Sequence, residues 1–308
     1  MATTPRLQGL LSPVVTPFKA DYTPDHARFA RHCQWLLDSG CEGLAVFGTN
    51  SEANSMSAGE KTELLDALVA AGVPGRTLMP GTGACSITEA AQLSAHAVRV
   101  GAAGVLMLPP FYYKGVSDEG LFRYYSEVIQ KVGSADLRVY LYHIPPVAQV
   151  AISVALVERL RKAYPDTVVG LKDSSGDWNN TQAILDAVAG SDFDVFPGSE
   201  VFLLQGLRAG AKGCITATGN VNPAAIAEVC RNWRTDRADE LQQGITRTRE
   251  RVQKYPVIPA LKALIAHYSG DAEWATVRPP LVELTADQTS QLVRDVEAIG
   301  FSMPGLRA

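Results

Sequence analysis

Cysteine is scarce and unpatterned in this chain: Cys33, Cys41, Cys85, Cys214 and Cys230 are scattered, odd in number, and form no C-x-x-C pair. Such a set frames neither a disulfide scaffold nor a zinc site, and is expected to be buried thiols in a reducing cytoplasm. Histidine is as sparse, with five residues and no H-x-H or H-E-x-x-H pattern, so no spacing calls for a metal. Basic runs are missing too. The balance of 28 basic against 32 acidic residues, net charge −4, argues against nucleic acid as a partner, which requires a basic footprint. No apolar run approaches the roughly 20 residues of a membrane span. The opening "MATTPRLQGL" lacks the charged start and apolar stretch of a signal peptide. A cytoplasmic protein is the expectation.

What is present is a recurring alternation. With 308 residues, 46% of them hydrophobic, the chain can form one barrel-sized domain or two smaller ones. Apolar runs fall at 12–18, 43–48, 77–83, 104–110, 138–145, 168–173, 194–199 and 213–219. They lack strict alternation, as parallel strands buried on both faces should. Helical spacing fills the gaps. "SITEAAQLSAHAVRV" opens with a capping box, Ser86 to Glu89. "SVALVERLRKAY" starts at Ser153, a good N-cap, and "DHARFARHCQWLLDSG" ends at Gly40, a C-cap glycine. Eight strand-then-helix units predict an α/β fold, a (β/α)₈ TIM barrel over 1–233, with a helical extension over 234–308 packed on it. A doubly wound sheet would want a glycine fingerprint after its first strand, and "TPFKADYTPD" has none.

In such barrels chemistry sits at the C-terminal ends of the strands. Those ends carry Thr16, Thr49 to Glu52, Thr82, Tyr112, Tyr113, Tyr142, His143, Lys172 to Ser175, Gly198 to Glu200 and Thr216 to Thr218. Lysine thus faces several hydroxyls, with no carboxylate cage for magnesium. An ammonium held against apolar walls loses hydration, which favours the free amine. A free amine attacks a ketone to give a Schiff base, an electron sink for making or breaking carbon–carbon bonds. A neighbouring tyrosine can move the proton this requires. The bland alternative pairs Lys172 with Asp173 or another barrel carboxylate.

At these residues the chain resembles the N-acetylneuraminate lyase and dihydrodipicolinate synthase family of class I, Schiff-base aldolases. The blocks "VVTPF" (14–18), "GTGACSITEA" (81–90), "GAAGVLMLPPFYYKG" (101–115), "YHIP" (142–145), "GLKDSSGD" (170–177) and "YPVIPALK" (255–262) carry the resemblance in order along nearly the whole chain. It implies a TIM barrel with C-terminal helices, usually a homotetramer, working without cofactor or metal on a small 2-oxo acid and an aldehyde. It implies Lys172 as the Schiff-base lysine and Tyr142 as the proton-passing tyrosine. Thr49 would be the hydroxyl that binds the keto-acid carboxylate and links to that tyrosine. Tyr112, or Tyr113 if the alignment slips by one, would reach into a neighbouring subunit's site. Ile215 would offer a backbone carbonyl near the bound acid.

Three departures from the family pattern matter. In "GTNSE", Asn50 replaces a second hydroxyl and Ser51 a glycine, so Asn50 is left to bind through its backbone N–H. Val147, in "YHIPPV", stands where the synthase has a carboxylate-binding arginine, with Lys114 as a substitute cation. "FPGSE" puts Gly198, Ser199 and Glu200 where the sugar-acid lyases handle substrate hydroxyls. Each residue also has an ordinary structural reading. Tyr142 could be a core tyrosine, Thr49 a turn hydroxyl, Tyr112 an interface aromatic and Glu200 a helix cap. His143 should point away from Tyr142 by strand alternation. The expected function is a lyase that cleaves or forms a 4-hydroxy-2-oxo acid. Alternatives are dihydrodipicolinate synthase itself, a Schiff-base dehydratase or deaminase, and a small-acid-binding barrel without turnover.

Overall fold

The computed structural model describes residues 6–307. Strands β1 (Gly9–Ser12), β2 (Gly43–Leu44), β3 (Val105–Met107), β4 (Val139–His143), β5 (Val168–Asp173), β6 (Asp194–Pro197) and β7 (Gly213–Ile215) form two parallel sheets, β2-β1-β7 and β3-β4-β5-β6. Two bridges join the sheets on one side, Leu44 to Leu78 and Gly81 to Leu106. On the other side Lys212 N donates to Val195 O at 3.0 Å. The interior cluster takes a side chain from each of eight segments: Leu11, Ala45, Met79, Leu106, Tyr140, Val169, Phe196 and Ile215. The fold is the expected (β/α)₈ barrel.

Several strands are shorter than their apolar runs, the run 43–48 forming a ladder only at Gly43–Leu44, and at two of them proline is the reason. The first strand ends at Ser12 rather than running over 12–18, because Pro13 and Pro17 have no N–H for a ladder. The third segment makes single bridges instead of a strand. Pro80 interrupts it, and a Cβ on Gly81 would sit 2.1 Å from Phe47 O. Gly170 serves packing in the same way: a Cβ there would lie 2.4 Å from the Tyr140 ring.

Ser153 caps its helix, accepting from Leu156 N at 3.0 Å, and Gly40 has φ +102°, as a C-terminal glycine should. Ser86 likewise caps its helix through Glu89 N at 3.3 Å. The reciprocal half of that capping box is not made, since the Glu89 carboxylate lies 3.6 Å from Lys61 Nζ instead. All five cysteines are free, and Cys85 is exposed rather than buried. Among the described residues no helix is long and apolar enough to cross a membrane. Residues 1–5 of the opening segment lie outside the described residues.

After Trp233 the chain forms helices Ala238–Val252, Val257–Ser269 and Ala286–Glu297. Val252, Leu261, Leu264, Leu292 and Val296 from these helices share one core cluster with Val15, Ala217 and Val221 of the barrel. Burial of this many aliphatic side chains, each contributing about 1.5–3 kcal/mol, holds the helices against the C-terminal ends of the strands.

Candidate active site

Strand register places the two central side chains. Tyr142 on β4 pairs with Lys172 on β5, and His143 with Asp173. Side chains alternate along a strand, so Tyr142 and Lys172 share one face and His143 and Asp173 the other. Lys172 is 4% exposed and Tyr142 3%. Lys172 Nζ lies 4.2 Å from the centre of the Tyr142 ring. The Tyr142 hydroxyl is 3.2 Å from Thr49 Oγ1. A lysine, a phenol and a hydroxyl thus stand in line.

Lys172 does not pair with Asp173. The Asp173 carboxylate accepts from Thr181 Oγ1 at 2.6 Å, Ser175 N at 2.9 Å and Asn180 Nδ2 at 3.1 Å. Among the described residues, Lys172 has no carboxylate within ion-pair distance. His143 is buried and accepts from Ile152 N at 2.9 Å through Nδ1. Burial lowers the imidazole pKa, with Asp173 pulling the other way.

The turn carrying Thr49 is fastened from below. Thr16 Oγ1 donates to Ser51 O at 2.9 Å, Ser51 Oγ donates to Val14 O, and Gly48 N donates to Ser51 Oγ at 3.2 Å. The serine at this position therefore has a structural task. Glu52 follows in a left-handed conformation, φ 57°. Its carboxylate meets the Lys262 ammonium and accepts from Arg278 N at 2.7 Å.

A cavity of about 370 Å³ gathers Thr49, Asn50, Tyr142, Lys172, Gly198, Ser199 and Ile215. Gly198 is confined there: a Cβ would collide with the Ser174 side chain and lie 2.9 Å from Asp173 O. Ile144, Val147, Pro256, Val257, Pro259 and Leu281 supply apolar wall. Two clefts of about 1000 Å³ each, lined by Arg6 and Arg76, lie at the opposite end of the barrel and contain none of these residues. Among the described residues no group of three or more His, Cys, Asp or Glu side chains is placed to hold a metal ion.

Glu200 requires a correction. It was expected to meet substrate hydroxyls, but its side chain is wholly buried. Its carboxylate accepts from Thr216 and Thr218, and Arg249 Nη1 lies 3.6 Å away. Hydroxyls on the neighbouring strand end draw it away from the cavity. Tyr112 and Tyr113 are not brought to the cavity either. They are 74% and 72% exposed, stacked edge to face at 5.3 Å on the loop after β3. Lys114 is no free cation, since its ammonium donates to Phe111 O and, at 2.8 Å, to Ala148 O.

The cavity also holds residues that the strand ends did not point to: Arg249 from helix Ala238–Val252, and the segment Pro256–Pro259. The signal for Arg249 lay in helical spacing. Ile245 and Val252 are buried on that helix, and position 249 falls on the same stripe at i, i+4, i+7. A charge on a buried stripe asks for a partner.

The model of the dihydrodipicolinate synthetase family matches residues 6–299. A DapA-like lyase of Chloroflexus aurantiacus is 30% identical over 302 residues, 95% of this chain and 97% of the relative. The crystal structure of dihydrodipicolinate synthase from Agrobacterium tumefaciens superposes with TM-score 0.87 at 35% identity, covering 94% of this chain and 99% of that one. YagE, an E. coli K12 prophage protein of the same family solved in complex with pyruvate, gives TM-score 0.87 at 26% identity over 96% of this chain and 99% of its own.

Proposed function

Because this chain belongs to the dihydrodipicolinate synthetase family and is a lyase of the aldolase type, we propose that Lys172 forms a Schiff base with pyruvate or a related 2-oxo acid. What supports the reading is the line Lys172–Tyr142–Thr49, with an amine and a phenol on facing strand positions and a hydroxyl at 3.2 Å. The YagE complex is a related protein that holds pyruvate.

In this reading the neutral Lys172 amine adds to the C2 carbonyl, and the carbinolamine loses water to give the imine. Tyr142 delivers and takes back the proton, relayed through Thr49. The keto-acid carboxylate rests on Thr49 and the Asn50 backbone N–H, beside the Ile215 carbonyl. Loss of a C3 proton gives the enamine, which adds to an aldehyde. Water then releases a 4-hydroxy-2-oxo acid. The reverse sequence cleaves that acid to pyruvate and the aldehyde. No cofactor is required. Tyr112, exposed on its loop, belongs in this reading to a neighbouring subunit's site in a homo-oligomer. Gly198 and Ser199 lie where the aldehyde partner would sit.

A second reading is dihydrodipicolinate synthase, adding pyruvate to aspartate semialdehyde. The 35% identity to the Agrobacterium tumefaciens enzyme favours it. Val147 at the cavity wall counts against it, because it offers no donor to the semialdehyde carboxylate.

Borohydride tests the central step. Reduction in the presence of pyruvate is expected to fix a pyruvate-derived adduct on the tryptic peptide containing Lys172. Lys172→Arg should be inactive and unlabelled, since a guanidinium cannot act as the nucleophile. An unmodified Lys172 peptide from active wild-type protein would overturn the mechanism.

A further inference from the structure

The cavity around Lys172 has two unlike walls. On one, the polar side chains are already engaged. Lys172, Tyr142 and Thr49 serve the keto acid in the Schiff-base reading, together with the Asn50 backbone. The Asp173 carboxylate is filled by Thr181, Ser175 and Asn180. Arg249 Nη1 is shielded from solvent and stands 3.6 Å from the buried Glu200 carboxylate. The Ser174 hydroxyl is packed against Gly198, where an added Cβ would strike it. Ser199 Oγ accepts from Val201 N at 3.4 Å. Little beyond these two serine hydroxyls remains to meet a polar second substrate.

The other wall is apolar. Ile144 and Val147 follow β4, Phe202 follows β6, Val257 and Ile258 open helix Val257–Ser269, and Leu281 comes from the segment before the last helix. These side chains are open to an entering molecule, unlike the shielded guanidinium. Val147 is 61% exposed, and Phe202, Val257, Ile258 and Leu281 are half-buried. The wall is also preformed. Val147 N donates to Ile144 O at 3.1 Å, and the Phe202 ring lies 5.8 Å from that of Trp178. Leu281 N donates to Arg278 O at 3.0 Å, and the Arg278 guanidinium is fastened to Ser55 O at 2.7 Å and Tyr22 O at 2.9 Å. A molecule that covers such a wall removes apolar surface from water without having to order it first. The cavity volume of about 370 Å³ falls within the range of small-molecule sites.

We propose that the aldehyde partner is uncharged and apolar, an alkyl or aryl aldehyde whose tail lies against Val147, Phe202, Val257 and Leu281. The inference rests on the Schiff-base reading above and adds to it the substrate class of the acceptor. C3 of the enamine bonds to the aldehyde carbon, the aldehyde oxygen takes up a proton, and water hydrolyses the imine. The product is a 4-hydroxy-2-oxo acid with an apolar tail. A carboxylate or a row of hydroxyls on that tail would lose its hydration against side chains that offer no hydrogen bond.

The test uses purified full-length enzyme with pyruvate and the straight-chain aldehydes from acetaldehyde to pentanal. In wild type kcat/KM is expected to rise by about 3- to 5-fold for each added methylene, the gain for burying one CH₂. Two matched pairs test polarity: glyceraldehyde against propanal, and 4-oxobutanoate against butanal. The alkanal should exceed its polar counterpart by about 10-fold or more, as a polar group buried without partners requires. Val147→Asn and Leu281→Asn, made singly, should flatten the chain-length slope by raising KM for pentanal more than for acetaldehyde. A flat wild-type series, or either polar aldehyde matching its alkanal, would overturn the assignment. So would variants that lose one common factor over the whole series, as residues with a merely structural role would. If neither variant folds, the wild-type series decides alone. Borohydride trapping of pyruvate on wild type separates the two levels. No adduct strikes the Schiff-base reading, whereas an adduct with a flat series strikes only the apolar acceptor.

Discussion

Lys262 and Glu52 form an ion pair in which neither side chain reaches solvent. Lys262 belongs to helix Val257–Ser269, and Glu52 directly follows the turn that carries Thr49. Lys262 also donates to Thr276 O at 2.7 Å. Burial pulls its pKa down to about 8, against the attraction of Glu52. The C-terminal helices thus hold the hydroxyl turn of the cavity from behind.

Lys262→Met is expected to destabilise the protein by about 3–5 kcal/mol, because it leaves the Glu52 carboxylate buried without its cation. Glu52→Gln added to Lys262→Met should recover part of the loss, since it removes the orphaned charge. Thermal and denaturant unfolding of the single and double variants measure this. A single variant as stable as wild type would show that the pair is dispensable.

Tyr142→Phe keeps the ring and removes the hydroxyl that stands 3.2 Å from Thr49. General acid–base help contributes about 10²–10⁴-fold, so kcat should fall within that range. Thr49→Val should lower the rate as well and raise KM for pyruvate. Steady-state kinetics on both variants check the relay, and an unchanged kcat in Tyr142→Phe would assign the proton to another group.

Synthase activity should be weak. Val147 presents no donors where the synthases carry an arginine, and Lys114 is tied to two carbonyls. Losing a charge-assisted pair of about 1.5–3 kcal/mol lowers kcat/KM by roughly one to two powers of ten. A coupled assay with aspartate semialdehyde measures it. A kcat/KM above about 10⁴ M⁻¹s⁻¹, the lower end for ordinary enzymes, contradicts this expectation.

His32 makes the fold sensitive to acid. The imidazole is buried between Trp35, at 5.6 Å, and Trp274, at 5.1 Å. Burial lowers its pKa from 6.5 to about 4. Between those two values the unfolded chain binds a proton that the folded chain does not, so stability falls as pH drops through that window. The loss reaches about 3 kcal/mol once pH is below the folded value. His32→Phe, which keeps an aromatic ring, should flatten this part of the stability–pH curve. A curve of unchanged slope in the variant would assign the acid sensitivity elsewhere.

Much of the architecture was legible because parallel strands covered on both faces write themselves as apolar runs. The reading failed where backbone chemistry overrides apolar content, at Pro13 and Pro80. In the cavity, Lys172 and Tyr142 could be found because each ends such a run, and period-2 alternation set His143 apart from them. Glu200 shows the limit: a strand end gives a position but not a rotamer, and the hydroxyls of Thr216 and Thr218 decided where its carboxylate went. Arg249 lies far along the chain from every strand end, and only docking of its helix brings it to the cavity. Tyr112, 74% exposed on its loop, is a position the strand pattern gives without giving the surface that would cover it.

The link between the C-terminal helices and the cavity also bears on how the protein is made. Chains emerge from the ribosome N-terminus first, at about 5–20 residues per second. Thr49, Tyr142 and Lys172 are all synthesised before the ammonium that braces the hydroxyl turn and before the guanidinium in the cavity wall. At that rate Tyr142 and Lys172 precede by several seconds the two side chains that complete the cavity around them. The cavity is therefore complete only when the closing stretch of the chain, with Arg249 and Lys262, has been made and docked.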